Sequence, residues 1–374
     1  MKETLLIVAD SERDANMLYA VGMFVPDPFI YLNIGGRALI VMNDLEIDRA
    51  RRQAPHCRVL SLSAYQRKLR TAGIKKAGFA KIIRQILREK EIRRVVVPDD
   101  FPFGLARELR KLGIKLKPKP DIFPKREIKT ADEVKKISAA LAMAEVGMAE
   151  GMEVLRRAKI SRDRKLIYHG MPLTSESLRA VIDCAILQAS GLAANTIVAC
   201  GRQACDPHER GHGVLRAHEP IVIDIFPRSQ KTGYFGDITR TVVRGHASEA
   251  ARKLYNTVLH GQKIAFDKIR AKVKSADVHK AVQKFFVDQG YKTGRYNGRM
   301  EGFFHGTGHG LGLEIHEAPR MGTTSLEILR AGHVVTVEPG LYYPGIGGVR
   351  LEDVALVTAE GARNLTRFEK VLEI

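Results

Sequence analysis

The run His305-Gly306-Thr307-Gly308-His309-Gly310-Leu311-Gly312-Leu313-Glu314-Ile315-His316-Glu317 packs three histidines, two glutamates and four glycines into thirteen residues. Glycine at 306, 308, 310 and 312 disfavours a helix. The i,i+4 spacing of His305 and His309 is therefore not the helical zinc pair it superficially matches. The glycines do not form a dinucleotide-binding turn either. A G-x-G-x-x-G pattern would need glycine where Leu311 and Leu313 stand. Histidines on irregular or extended backbone, beside acids, remain to be explained.

Four further stretches place acids in apolar surroundings. In Ile221-Val222-Ile223-Asp224-Ile225-Phe226 the strand is apolar enough to be buried, and an unpaired buried carboxylate is costly. Asp224 therefore requires a cation or a hydrogen-bonding network. Thirteen residues later, Gly236-Asp237-Ile238-Thr239-Arg240-Thr241 reads as a second strand, with a turn at 229–233 that lets the two pair. Two carboxylates so placed repel unless a proton or a metal lies between them. Val334-Val335-Thr336-Val337-Glu338-Pro339-Gly340 and Gly348-Val349-Arg350-Leu351-Glu352-Asp353-Val354 each read as an apolar strand with an acid inside it. Singly, each acid is explained by an arginine partner and each histidine by core packing. Together, two Asp, two Glu and one His make an oxygen-rich donor set with one imidazole, which suits hard divalent ions such as Mn²⁺. Four carboxylates balance the charge of two such ions.

The ordered set VIDIF, GDITRT, HGTGHGLGLEIHE, VEPG and VRLED resembles the pita-bread-fold metallopeptidases: aminopeptidase P, prolidase, creatinase and methionine aminopeptidase. The resemblance implies an α/β (α+β) chain. A creatinase-like mixed-sheet N-terminal domain over 1–125 would precede a pita-bread catalytic domain over 126–374. It also implies two divalent metal ions, Mn²⁺ first, with Co²⁺, Fe²⁺ or Zn²⁺ able to occupy similar sites. Carried over residue by residue, Asp224 binds one ion alone, Asp237 and Glu352 bridge both, and His309 and Glu338 complete the other. A hydroxide held between the ions attacks the scissile carbonyl. Glu338 exchanges the proton, His316 stabilises the oxyanion, and His208 and His305 line the substrate side. Arg350, on the same face as Glu352, positions substrate or orients a ligand. The step from Asp224 to Asp237 is longer than in the family, and extra residues around 228–231 are expected to lengthen the turn. A one-residue slip in register would instead turn Asp224 away.

A creatinase-like N-domain points to the Xaa-Pro branch, because methionine aminopeptidases generally lack one. The motifs are read as an aminopeptidase acting on peptides with proline second. The alternatives are a prolidase cleaving Xaa-Pro dipeptides, a methionine aminopeptidase, and a non-catalytic relative that binds nucleic acid or protein. A homodimer is expected by resemblance alone.

Composition agrees with a two-domain globular chain: 374 residues, 45% hydrophobic and 28% charged. No apolar run approaches the ~18 residues of a membrane span. Four cysteines without a C-x-x-C pair suit a reducing cytoplasm. The net charge is +19, and residues 1–126 hold 26 Lys/Arg against 14 Asp/Glu. Such a surface attracts acidic partners or nucleic acid, or is simply a solvated basic face. In the N-terminal third, a strand at 5–9, a hairpin over 28–42 turning at Gly35-Gly36, a strand at 95–97 and a helix from 103 to 112 are expected. Asn43 or Asp44 is expected to cap a helix, and the Pro118-to-Pro124 stretch to be an extended boundary. Beyond it, Thr130 should cap a long helix from 132 to 158, with further helices near 175–189, 248–270 and 276–289.

Overall fold

The computed structural model describes residues 3–374. The chain divides into two compact units between Pro124 and Lys125.

The N-terminal unit is a six-stranded mixed sheet with helices on both faces. Its elements are β1 (Leu5–Ala9), α1 (Ala15–Val21), β2 (Phe29–Ile34), β3 (Arg37–Met42), α2 (Ile47–Gln53), β4 (Arg58–Ser61), α3 (Leu62–Thr71), α4 (Phe79–Glu89), β5 (Arg94–Pro98), α5 (Phe103–Lys111) and β6 (Lys115–Lys119). The strand order is β4-β3-β2-β1-β5-β6. The β1–β2 and β2–β3 pairs are antiparallel, and the three outer pairings are parallel. Gly35 and Gly36 turn the β2–β3 hairpin at φ +61° and +91°, a region that excludes most side chains. One sheet face packs under α3, α4 and α5 through Leu69, Ile82, Ile86 and Leu109; the other packs under α1 and α2 through Met17, Val21 and Ala50.

Two local expectations are corrected here. Neither Asn43 nor Asp44 caps α2, whose N-cap position is Glu46; Asn43 Oδ1 accepts from the Glu46 N–H and closes the turn ahead of the helix. The proline-bearing boundary stretch begins as strand β6. Pro118 fits because β6 is an edge strand, paired on one side only, where a missing N–H costs no ladder bond.

In the second unit α6 (Ala131–Arg157) starts at a capping box, Thr130 and Glu133 satisfying one another's backbone N–H groups. Then follow α7 (Ser175–Gln188), β7 (Ile197–Cys200), β8 (Ile221–Ile225), β9 (Ile238–Val242), α8 (Glu249–Lys268), α9 (Ser275–Asp288), β10 (Gly308–Gly310), β11 (Glu317–Met321), β12 (Val334–Val337), β13 (Gly340–Tyr343), β14 (Gly347–Arg350), β15 (Asp353–Val357) and β16 (Ala362–Asn364). Strands β7-β8-β9 form one antiparallel sheet, β11-β10-β12-β15-β16 another, and β13-β14 a ribbon. Helices α8 and α9 bury Leu254, Val258, Val282 and Phe286 against Val335, Val337 and Ala355 of the strands and Leu351 between two of them. That packing fixes the strand ends on which the polar residues stand. Among the described residues, no helix is long and apolar enough to cross a membrane.

Candidate metal centre and active site

Asp224 is the fourth residue of β8, all five of which are buried. It lies opposite Thr239 of β9. Asp237 precedes β9 by one residue and lies two from Thr239, so it shares the face of Thr239 and Asp224. Glu352 joins this line: its N–H donates to the Thr239 carbonyl at 3.0 Å and its Oε2 accepts from Thr239 Oγ1 at 2.7 Å. The register is therefore kept despite the long Asp224–Asp237 connection. The additional residues leave as a separate ribbon in which Arg228–Ser229 pairs with Gly191–Leu192.

His309 sits on β10. A Cβ on Gly308 would run into the Thr336 carbonyl, and one on Gly310 into that of Ala318. The glycines thus let the backbones on either side of His309 close in. His309 Nδ1 lies 3.1 Å from the Gly310 carbonyl, which only accepts, so Nδ1 carries the proton and Nε2 is left with a free lone pair. That Nε2 faces Glu338 Oε1 at 3.4 Å and Asp237 Oδ2 at 3.8 Å. Burial pushes the His309 imidazole down to about 3, keeping it neutral. Ligand atoms of Asp237, His309 and Glu352 all lie within 4.8 Å of one another.

Only Asp224 stands inside a strand. Asp237, Glu338 and Glu352 each fall one residue outside one, which corrects the expectation of acids within strands. Strand ends leave the backbone free to deliver several carboxylates to one point, as interior ladder positions do not. Glu338 donates its N–H to the Thr307 carbonyl at 2.8 Å, outside the β12 ladder.

The charges in this cluster do not balance. Arg350 Nη2 donates to Asp224 Oδ2 at 2.7 Å, while Asp224 Oδ1 is buried with no partner among the described residues. Burial, then repulsion from the neighbouring carboxylates, raises Asp237 and Glu352 well above the ordinary carboxylate range. Burial also raises Glu338, to about 7, although Arg350 opposes it. Three buried carboxylates and the partly buried Glu338 facing one guanidinium, a neutral imidazole with its lone pair turned inward, and an orphaned oxygen together fit divalent cations.

All nine residues singled out from the sequence line one cavity of about 980 Å³: His208, Asp224, Asp237, His305, His309, His316, Glu338, Arg350 and Glu352. His305 donates through Nδ1 to the Gly306 carbonyl at 2.8 Å and accepts at Nε2 from the Tyr342 hydroxyl at 2.8 Å. The His316 ring stands edge-on to that of His309, with centroids 4.5 Å apart. His208 and His316 are exposed at the cavity mouth.

Residues 135–359, more than half of the chain, match the family model of metallopeptidase family M24. The chain belongs to this metallopeptidase family. It is 32% identical over 292 residues to a Xaa-Pro dipeptidase of Pyrococcus horikoshii, covering 75% of each chain. Among solved structures, the prolidase of Pyrococcus furiosus superposes with a TM-score of 0.78 at 25% identity, covering 98% of this chain and 97% of that one. An X-Pro aminopeptidase of Thermotoga maritima shares the fold with a TM-score of 0.83 at 22% identity, covering 100% of this chain and 97% of that one. Both units, including the mixed-sheet N-terminal one, therefore have the architecture of this peptidase group, and the second has the pita-bread fold.

Several supporting residues of this M24 chain are given no role by the sequence. Gln262 of α8 donates to the carbonyls of Val337 and Leu351 at 2.9 and 3.1 Å, the residues immediately before Glu338 and Glu352. Arg240 donates to the Glu352 carbonyl at 2.6 Å and to Asp353 Oδ1 at 2.9 Å. Arg320 lies directly opposite His309 in the β10–β11 pairing and lines the cavity. Gln262→Leu would remove both buried hydrogen bonds that brace these strand ends, at about 1–3 kcal/mol in all. It is expected to lower thermal stability and to weaken metal binding by about tenfold. Calorimetric titration with Mn²⁺ and a melting curve check both.

Proposed function

We propose that this metallopeptidase is a Xaa-Pro dipeptidase, hydrolysing the bond to the proline nitrogen of a dipeptide. The sequence reading puts an aminopeptidase acting on longer peptides first, but both activities share the motifs, which therefore do not separate them. The observation that carries the dipeptidase reading is Arg320. Its side chain shares the face of His309, and its backbone N–H is held by Glu327 Oε2 at 2.6 Å. No ion pair among the described residues engages its guanidinium, although its charge helps to depress His316, after burial. An unengaged cation at the cavity wall suits the free carboxylate of a dipeptide, which a longer peptide would carry further away. The names of the relatives at 32% identity support the same substrate class.

Asp224, Asp237, His309, Glu338 and Glu352 would hold two divalent ions, with Mn²⁺ favoured by the oxygen-rich set. Bound there, such ions activate water and polarise the scissile carbonyl. Glu338, whose Oε1 lies 3.4 Å from His309 Nε2, takes the proton of the attacking water and passes it to the proline nitrogen. His316 donates to the oxygen on which charge develops, and His208 and His305 wall the substrate side. Arg350 fixes Asp224 through one oxygen and leaves the other turned to the site.

Mass spectrometry of Mn²⁺-supplemented protein with Ala-Pro, its C-terminal amide and Ala-Pro-Ala-Ala tests the reading. Cleavage of Ala-Pro well ahead of the other two is expected. Arg320→Ala should raise KM for Ala-Pro by about 10–100-fold, the loss of one charge-assisted pair, while kcat stays within a few-fold. Preferential cleavage of the tetrapeptide, with Arg320→Ala silent, would return the assignment to the aminopeptidase.

A further inference from the structure

Charge is unevenly spread over the two faces of the N-terminal unit. The segments carrying α3, α4 and α5, residues 62–93 and 101–112, hold 13 Lys/Arg against 3 Asp/Glu. Those carrying α1 and α2 on the opposite sheet face, residues 10–28 and 43–57, hold 4 against 7. The basic surplus of the domain is thus one helical layer and not a general property of its surface.

Within that layer α4 packs against both α3 and α5. The apolar side of each helix is buried on the sheet. The outer side of each bears two exposed arginines three or four residues apart: Arg67 and Arg70, Arg84 and Arg88, Arg107 and Arg110. That spacing puts both members of a pair on one helix face. The ion pair of this layer among the described residues joins Lys68 to Glu89 at 2.5 Å and leaves all six guanidiniums un-neutralised. Arg84 Nε donates to the Leu112 carbonyl at 2.9 Å, which anchors that side chain against α5. Three arginine pairs on neighbouring helices, about 8–10 Å apart, repel one another without an anionic partner.

The partner is chosen by what else the face carries. Guanidinium forks match phosphate oxygens in geometry as well as charge. A membrane surface would call for a stripe of large apolar residues beside the cations. Phe103 is the one exposed large apolar side chain in these segments, at 79% exposure. We propose that the α3–α4–α5 face binds the phosphate backbone of a nucleic acid, without reading base sequence and independently of the peptidase site.

The test is fluorescence anisotropy of the Mn²⁺-loaded full chain with a labelled single-stranded RNA and a labelled DNA duplex, each of about 20 nucleotides or base pairs. Six phosphate contacts predict a slope of log affinity against log salt of about −4 to −5, and so a loss of roughly 10²–10³-fold between about 50 and 200 mM NaCl. Combining Arg67→Gln, Arg88→Gln, Arg107→Gln and Arg110→Gln should flatten the slope by about 3 and cut affinity at least tenfold, with Ala-Pro hydrolysis and melting temperature unchanged. Arg51→Gln with Arg52→Gln, on the opposite face, should leave binding intact. Absence of binding at low salt, equal loss in the opposite-face variant, or binding to phosphatidylserine vesicles in place of nucleic acid would each overturn the proposal.

Discussion

Glu352→Gln is expected to abolish dipeptide hydrolysis, lowering kcat/KM by at least about 10³-fold, or roughly 4 kcal/mol. The amide is nearly isosteric and can still accept from Thr239 Oγ1, so the local fold has no reason to change. The side chain loses its negative charge at the point where Asp237, His309 and Glu352 present ligand atoms together. Elemental analysis should show at least one ion fewer per chain than in the parent. The metal-free protein supplies an independent readout. There, burial and repulsion raise the Asp237 and Glu352 carboxyls, so the folded chain holds protons that the unfolded chain has released. Its stability should therefore fall as pH rises from about 4.5 toward neutrality, because the native state binds more protons there. Glu352→Gln removes one source of that repulsion. Its metal-free form should melt at or above the parent temperature at pH 7, with a shallower pH dependence and a smaller gain on adding Mn²⁺. Full activity with full metal content would remove Glu352 from the ligand set.

The positions that could be read from sequence are those where a polar group sits against strong local expectation. Asp224 in an apolar strand, and histidines spaced by glycines that forbid a helix, are conspicuous without knowledge of tertiary contacts. Elements with strong end signals were equally legible: α6 begins at the capping box of Thr130 and Glu133, and the β2–β3 hairpin turns on Gly35 and Gly36. What could not be read depends on which elements meet. Gln262 lies on an amphipathic helix where a lone glutamine has no marker. It becomes decisive only because α8 packs across the ends of two strands distant in sequence. Arg320 looks like an ordinary exposed strand residue until pairing sets it opposite His309. Strand termini next to acids were misplaced by one residue because apolar periodicity continues through Val337 and Leu351, while ladder bonding stops there. Pro118 read as a boundary because local conformation alone does not reveal that its strand is an edge.

His316→Ala should lower kcat for Ala-Pro by about 10² or more while metal content stays at the parent value. The ring stands edge-on to His309 and is exposed at the cavity mouth, so its removal opens no buried cavity and should cost little stability. Partial desolvation at the cavity mouth, and then the Arg320 charge, lower its pKa, so the neutral ring with one N–H is the form present at pH 7. A neutral donor suits an oxygen that becomes negative only as the reaction proceeds, because it adds little to ground-state binding. The loss should therefore appear in kcat with KM nearly unchanged, the pattern of an interaction made chiefly in the transition state. His316→Gln, which keeps a donor of similar reach, should recover part of the loss. An alternative is that His316 acts by buttressing His309. In that case metal affinity would fall together with kcat, and the glutamine variant would fail on both measures. The two roles thus separate in a single experiment that reads metal content, KM and kcat on the same preparations.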